Sequence, residues 1–168
     1  MAVTANISTN SRLTFGLADS PDLGSISQSV EIKTSRTVSN GTGAGQANAA
    51  WSARVTLPAG QVYSLDLTDL SLSAFNLAGK LTLTTLKDVI VINNETTAGR
   101  HLLYGVISPA DTTGYAARLN RGADYRWSDY QDGIAVTAGN KMVYIANPSN
   151  GSVTFDIALA GVGTFSDT

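Results

Sequence analysis

His101 is the sole histidine in the sequence, and a serine nucleophile of the triad kind would need it as base. No G-x-S-x-G elbow accompanies it, so a lone histidine at the start of an apolar run reads as an ordinary polar residue. The chain has no cysteine, which removes disulfides, thiolate metal sites and Cys nucleophiles together. Asp111-Thr112-Thr113-Gly114 has the residue types of the aspartic-protease triplet without its spacing, and no second motif exists to share a proton. With Pro109 upstream it reads as a turn. Asp124, Asp129 and Asp132 lie close enough in sequence to face one cation, but the spacing is not that of an EF-hand loop. Gly41-Thr42-Gly43-Ala44-Gly45 lacks the Gly-Lys-Ser/Thr and the helix that a phosphate loop requires, and reads as a plain flexible loop. No catalytic residue, metal ligand or cofactor site is expected, and the chain does not read as an enzyme.

The stretch that best fits binding chemistry is Arg118 to Asp132. It carries Arg118, Arg121, Tyr125, Arg126, Trp127 and Tyr130, and Arg, Tyr and Trp are the side chains that dominate binding hot spots. Two readings stand side by side. The aromatics can form a protein or sugar contact surface, or Tyr125 and Trp127 can plug one end of a sandwich while the charges stay in water. Trp51, flanked by alanines, reads as core or as a subunit contact.

The elements that would hold these residues are strands. Alternation with period two recurs along the chain, and a helical period hardly appears. Glu31–Val38 is a polar strand. Arg54–Leu57 stops at Pro58-Ala59-Gly60, and Tyr63, Leu65 and Leu67 share one face of the next strand. Val89–Ile92 is apolar on both faces and reads as a central strand ended by Asn93-Asn94. His101–Ile107 is a further strand. Lys141–Ala146 and Ser152–Leu159 flank Asn147-Pro148-Ser149-Asn150-Gly151, a turn sequence suited to a tight hairpin. Tyr115–Gly133 reads as a long excursion between strands, and a short helix is expected at Gln46–Ala53 or near Leu83–Asp88. The fold class expected is all-β, a β-sandwich or jelly-roll-like single domain over residues 24–168. Residues 1–23 are expected to form an extended N-terminal arm reaching a neighbour, because Val3, Ile7, Leu13, Phe15 and Leu17 are too few to fold alone.

Composition narrows the partners. The chain has 168 residues, long enough to bury roughly two-thirds of its unfolded surface. Charged residues make up 14% and the net charge is −2, which gives no electrostatic footprint for nucleic acid. Ser, Thr, Asn and Gly supply the polarity instead, and seven Arg against four Lys is a mild interface signal. No run approaches the roughly 20 apolar residues of a membrane span, and Met1–Asn10 lacks the features of a signal peptide. The sequons at Asn6, Asn40, Asn94 and Asn150 read as chance matches in an Asn/Ser/Thr-rich chain.

Several local features occur in a suggestive order: Asn40-Gly41-Thr42-Gly43-Ala44-Gly45-Gln46-Ala47-Asn48 before Trp51, then Leu65-Asp66-Leu67, then Val91-Ile92-Asn93-Asn94, and finally Gly151-Ser152-Val153-Thr154-Phe155-Asp156-Ile157. From about Asn40 to Gly161 the chain resembles small β-rich virion proteins of tailed bacteriophages, of the head decoration or cement kind. The resemblance implies a structural protein on the capsid surface of the virion, partnered with the major capsid protein and often a homotrimer. A receptor- or glycan-binding module of a tail or fibre is the alternative, with Arg118–Asp132 as its surface.

Overall fold

The computed structural model describes residues 7–19, 26–74, 77–105 and 117–167. Every regular element among them is a β-strand, so the fold is all-β as the alternation predicts. In chain order these are β1 (Ile7–Asp19), β2 (Ile26–Val38), β3 (Ala49–Leu57), β4 (Val62–Asp66), β5 (Leu70–Ala74), β6 (Leu77–Asn93), β7 (His101–Tyr104), β8 (Ala117–Asn120), β9 (Asp124–Ser128), β10 (Ile134–Ala135), β11 (Met142–Ala146) and β12 (Val153–Asp167).

β6 organises the larger sheet. Along one edge it pairs with β12, which in turn pairs with β3. Along its other edge it takes β9, β10 and β5 in succession. A second antiparallel sheet runs β4-β11-β7-β8. The two sheets share one core: Trp51, Val89, Val91, Phe155, Ile157 and Leu159 from the first meet Leu65, Leu102, Leu119 and Ile145 from the second. Tyr63 and Phe155 cross between the layers edge to face, with ring centroids 5.8 Å apart. Burying a Leu, Ile or Phe side chain contributes about 1.5–3 kcal/mol, so this shared layer is the dominant stabilising feature of the body.

β6 keeps its core face through two irregularities. Its pairing with β12 slips by one residue between Leu83 and Thr85, and again between Leu86 and Asp88, each slip a β-bulge. The inward positions therefore run Leu83, Leu86, Val89, Val91, all buried. At the bulges the partner strand carries Gly161 and Gly163. A Cβ on Gly161 would stand 2.0 Å from the Thr85 carbonyl oxygen, and one on Gly163 2.5 Å from that of Thr82, so only glycine allows the strands this close.

Neither stretch where a short helix is expected holds one. Gln46–Ala53 leads into β3, whose nine residues all pair with β12, and Leu83–Asp88 lies inside β6. Pairing and burial override the helix preference of Ala and Leu there. The expected excursion at Tyr115–Gly133 contains β8 and β9, which turn at Gly122 (φ 69°) and belong to different sheets. Lys141–Ala146 and Ser152–Leu159 contain strands as expected, but β11 and β12 do not pair. The Asn147–Gly151 segment carries the chain from one sheet to the other. Asn147, buried, donates from Nδ2 to the carbonyls of Leu57, Pro58 and Gly151, and its Oδ1 accepts from the Ser149 amide and hydroxyl. That side chain shapes the crossover, where a hairpin would have needed a second paired strand.

β1 and β2 stand apart in topology. They pair antiparallel over their full lengths, Ile7 with Val38 through Asp19 with Ile26, and no third strand among the described residues joins their sheet. The segment expected as an arm over 1–23 thus contributes β1 to this ribbon, and its other residues lie outside the described ones, as does Asp111–Gly114.

Candidate interaction site

The ribbon leaves the body beside a set of charges on the outer face of the larger sheet. Val38, the last residue of β2, packs with Ala47 and Tyr130 in a small buried cluster of its own. Ser39 then bridges Gln46, the Ala47 amide donates to Ser39 O (3.1 Å), and the Gly45 amide donates to Tyr130 O (2.7 Å). The glycine-rich loop is therefore the socket from which the ribbon emerges, and Gly45 takes a left-handed φ of 72° to make it.

Beneath that socket lie Lys87 and Asp88, each 3% exposed. Lys87, the extra residue of the second bulge, donates its ammonium to Gly43 O (2.8 Å) and Tyr130 O (3.2 Å). Asp88 Oδ2 accepts the Tyr130 hydroxyl in a short hydrogen bond and receives Arg126 Nη2 at 3.2 Å. Burial, then the bond to Asp88 and the charge of Asp88, push the Tyr130 hydroxyl well above its ordinary range. Four side chains from β6, β9 and the following loop thus lock the root of the ribbon. Breaking a buried pair by removing one partner is costly, so this set fixes geometry more than it adds stability.

Along the same outer face, one repeat beyond Asp88, the sheet lies open. Register places Arg126, Ile90, Ala158 and Ser52 in one row across β9, β6, β12 and β3, and Asp124, Ile92, Asp156 and Arg54 in the next. Ser52, Arg54, Ile90, Ile92, Asp156 and Ala158 line a shallow groove of about 390 Å³. Ile92 is 39% exposed although it sits on a central strand. Arg54 and Asp156 meet through two parallel hydrogen bonds of 2.7 Å, and this pairing holds the Asp156 carboxyl down to about 2. The groove therefore offers an apolar floor of low relief beside a charge pair that is already satisfied.

The six residues singled out in the sequence do not gather on one surface. Tyr125 and Trp127 alternate with Arg126 on β9 and pack against the main core, Tyr125 against Tyr104 with ring centroids 4.6 Å apart. Burial, with Tyr125 adding to it, pushes the Tyr104 hydroxyl up to about 12. Tyr130 is fully buried, and Arg126 turns to Asp88 on the outer face. Arg118 is exposed on β8, and Arg121, also exposed, donates Nη1 to Thr96 O at 3.0 Å. Trp51 is core, its indole donating to Ser71 O. Asp129 Oδ1 accepts the amides of Gln131 and Asp132, and no cluster of three or more metal-ligating side chains occurs among the described residues. Lys87 and Asp88 were missed in the sequence. Their signal was two adjacent charges inside an otherwise apolar strand. The groove had a signal too, in a Val89–Ile92 run apolar on both faces.

No protein-family model matches the chain, and no curated protein matches it.

Proposed function

We propose that this chain is a structural protein of a virus particle, one that decorates the outer surface of a tailed-phage head and reinforces contacts between major capsid protein subunits. The observation that carries the reading is the division of labour in the chain: a two-sheet body with its own core, and a two-stranded ribbon locked at its root. Such an arm is useful to a protein whose task is to hold neighbours together. Sparse charge and the resemblance running from Asn40 to Gly161 support the same reading; the trimer comes with that resemblance, and the jelly-roll description rests on the succession of short strands. Many copies on a lattice would each add a modest contact, and multivalency would make the sum strong.

The test is the copy number of the chain in purified particles, by quantitative mass spectrometry against the shell protein. Copies in simple proportion to the shell protein are expected. A handful per particle would move the chain to a tail or vertex and favour receptor binding, and absence from particles would overturn the virion reading. The receptor alternative finds less support, because Tyr125 and Trp127 pack against the core and leave only Arg118 and Arg121 fully in solvent.

A further inference from the structure

Two Asn-Gly pairs occur in the chain, Asn40-Gly41 and Asn150-Gly151, and the fold sets them in opposite circumstances. An asparagine followed by glycine can modify itself. The glycine amide nitrogen gives up its proton and bonds to the asparagine Cγ, the bond from Cγ to Nδ2 breaks, and ammonia leaves. Water then opens the cyclic imide at either carbonyl, leaving aspartate or isoaspartate. The reaction asks for an asparagine side chain free to move and a glycine amide not committed elsewhere. It also asks for relief of the negative charge that gathers on the attacking nitrogen and on the amide oxygen.

At the first pair the Gly41 amide donates to Ala47 O (3.3 Å), a bond that belongs to the socket of the ribbon, and attack would break it. At the second, Asn150 is exposed and the Gly151 amide donates to no atom among the described residues. What holds this turn grips the carbonyl side instead: Gly151 O accepts from Asn147 Nδ2 (2.9 Å) and Ser149 Oγ (3.2 Å). A cation stands beside the uncommitted nitrogen. The atoms nearest to where a Gly151 Cβ would lie all belong to the Arg100 guanidinium, so that group rests on the glycine backbone. Its Nη1 is shut away from water and has no hydrogen-bond acceptor. A buried donor left unpaired destabilises the fold, and negative charge forming next to it relieves that strain.

We propose that Asn150 is a self-modification site: the Gly151 amide closes on the Asn150 side chain, Arg100 stabilises the charge that develops, and the residue becomes aspartate or isoaspartate while Asn40 persists. Both products add a negative charge beside a guanidinium nitrogen that lacks an acceptor. Isoaspartate does more, since it carries the main chain through the former side chain and lengthens it by a methylene between residues 150 and 151. That step lies inside the crossover between the two sheets, and it displaces Gly151 O from the Asn147 side chain that shapes the crossover. The chain thus carries a slow, one-way change at the joint of its body, whether or not the particle reading stands.

The full-length chain is kept in neutral buffer, natively and in concentrated urea, and peptide mapping by mass spectrometry follows the amide-to-acid mass gain at both asparagines. In urea the two should react at similar rates, because Ser39-Asn40-Gly41-Thr42 and Ser149-Asn150-Gly151-Ser152 are near copies. Natively, Asn150 should react on the order of tenfold faster than Asn40, with isoaspartate resolved as a peptide of equal mass and different retention. Equal native rates, or a faster Asn40, would overturn the proposal. Arg100→Met should slow Asn150 several-fold in the native chain and leave it unchanged in urea, while Arg100→Lys, which keeps the charge, should stay near the unaltered rate. An arginine that merely braces the turn would act with the opposite sign, because its loss would free the turn. An unchanged or faster native rate in Arg100→Met would therefore also overturn the proposal.

Discussion

The body and the ribbon are written in the same strand chemistry and differ in what lies behind it. In the body, the inward residues of β6, β12 and β3 meet a second sheet of the same chain, and Val91, Phe155 and Ile145 are sealed completely. In the ribbon apolar and polar residues alternate along the sequence as well, yet no third strand among the described residues joins its sheet. Alternation therefore predicts a strand and a wet face equally well in both places. It does not say whether the layer that covers the dry face comes from the same chain. The contrast teaches that self-sufficiency is a property of layers, not of strands.

The comparison breaks most directly at the shared core. Phe155→Ala is expected to cost the body about 3–5 kcal/mol in urea denaturation followed by circular dichroism, since it empties a fully buried site between both sheets. A cost below about 1 kcal/mol would mean that the two sheets do not depend on one another. Next in size is the root. Asp88→Asn leaves Arg126 without its carboxylate and weakens the Tyr130 bond, and a loss of about 2–3 kcal/mol is expected in the same assay. The third is an acid effect in the smaller sheet. Lys141, then Thr68, hold the Asp66 carboxyl down to about 2, with Lys141 Nζ at 2.6 Å. A depressed carboxyl adds stability that is full above its unfolded value of 3.8 and is lost as pH falls through about 2. Asp66→Asn should therefore cost about 1 kcal/mol near neutrality and flatten the fall in stability over that acid window, read from denaturation midpoints at a series of pH values. The smallest effect sharpens the contrast most. Removing residues 1–37 should change the unfolding free energy of the body in urea by less than about 0.5 kcal/mol. A large shift would make the ribbon part of the core.

Much of the body was legible. Arg54–Leu57, Tyr63–Leu67 and Val89–Ile92 were read as strands from alternation or apolar runs, and the structure has them so. The misreadings have physical causes. Leu83, Leu86 and Val89 recur every three residues, which imitates a helical stripe, and only the bulges opposite Gly161 and Gly163 turn that spacing into a strand face. Ala49-Ala50 favours a helix until β12 pairs along all of β3. Asn147–Gly151 has hairpin chemistry, but a crossover between sheets uses the same residues, with the Asn147 side chain in place of a partner strand. In the stretch from Arg118 to Asp132, residue type was informative and direction was not. One-residue alternation on β9 sends Tyr125 and Trp127 to the core and Arg126 to the outer face. The groove was half legible, because a run apolar on both faces of a strand calls for cover on both sides and only one side is covered by the described residues.

The bulges also decide what changes in length β6 can absorb. The strand counts in twos except across Thr84 and Lys87, where it counts in threes, and each of those residues is an extra one that faces no partner on β12. Deleting Lys87 alone would leave Leu86 and Val89 two residues apart, the ordinary strand spacing, so the bulge would close with the dry face intact and only the bonds from Lys87 to Gly43 O and Tyr130 O would be lost. Deleting Ile90, which lies outside the bulges, would instead exchange dry and wet faces for everything on one side of it. β6 should therefore accept deletion of Thr84 or of Lys87 far more readily than deletion of Ile90, an asymmetry that a scan of single deletions would reveal without any further structure.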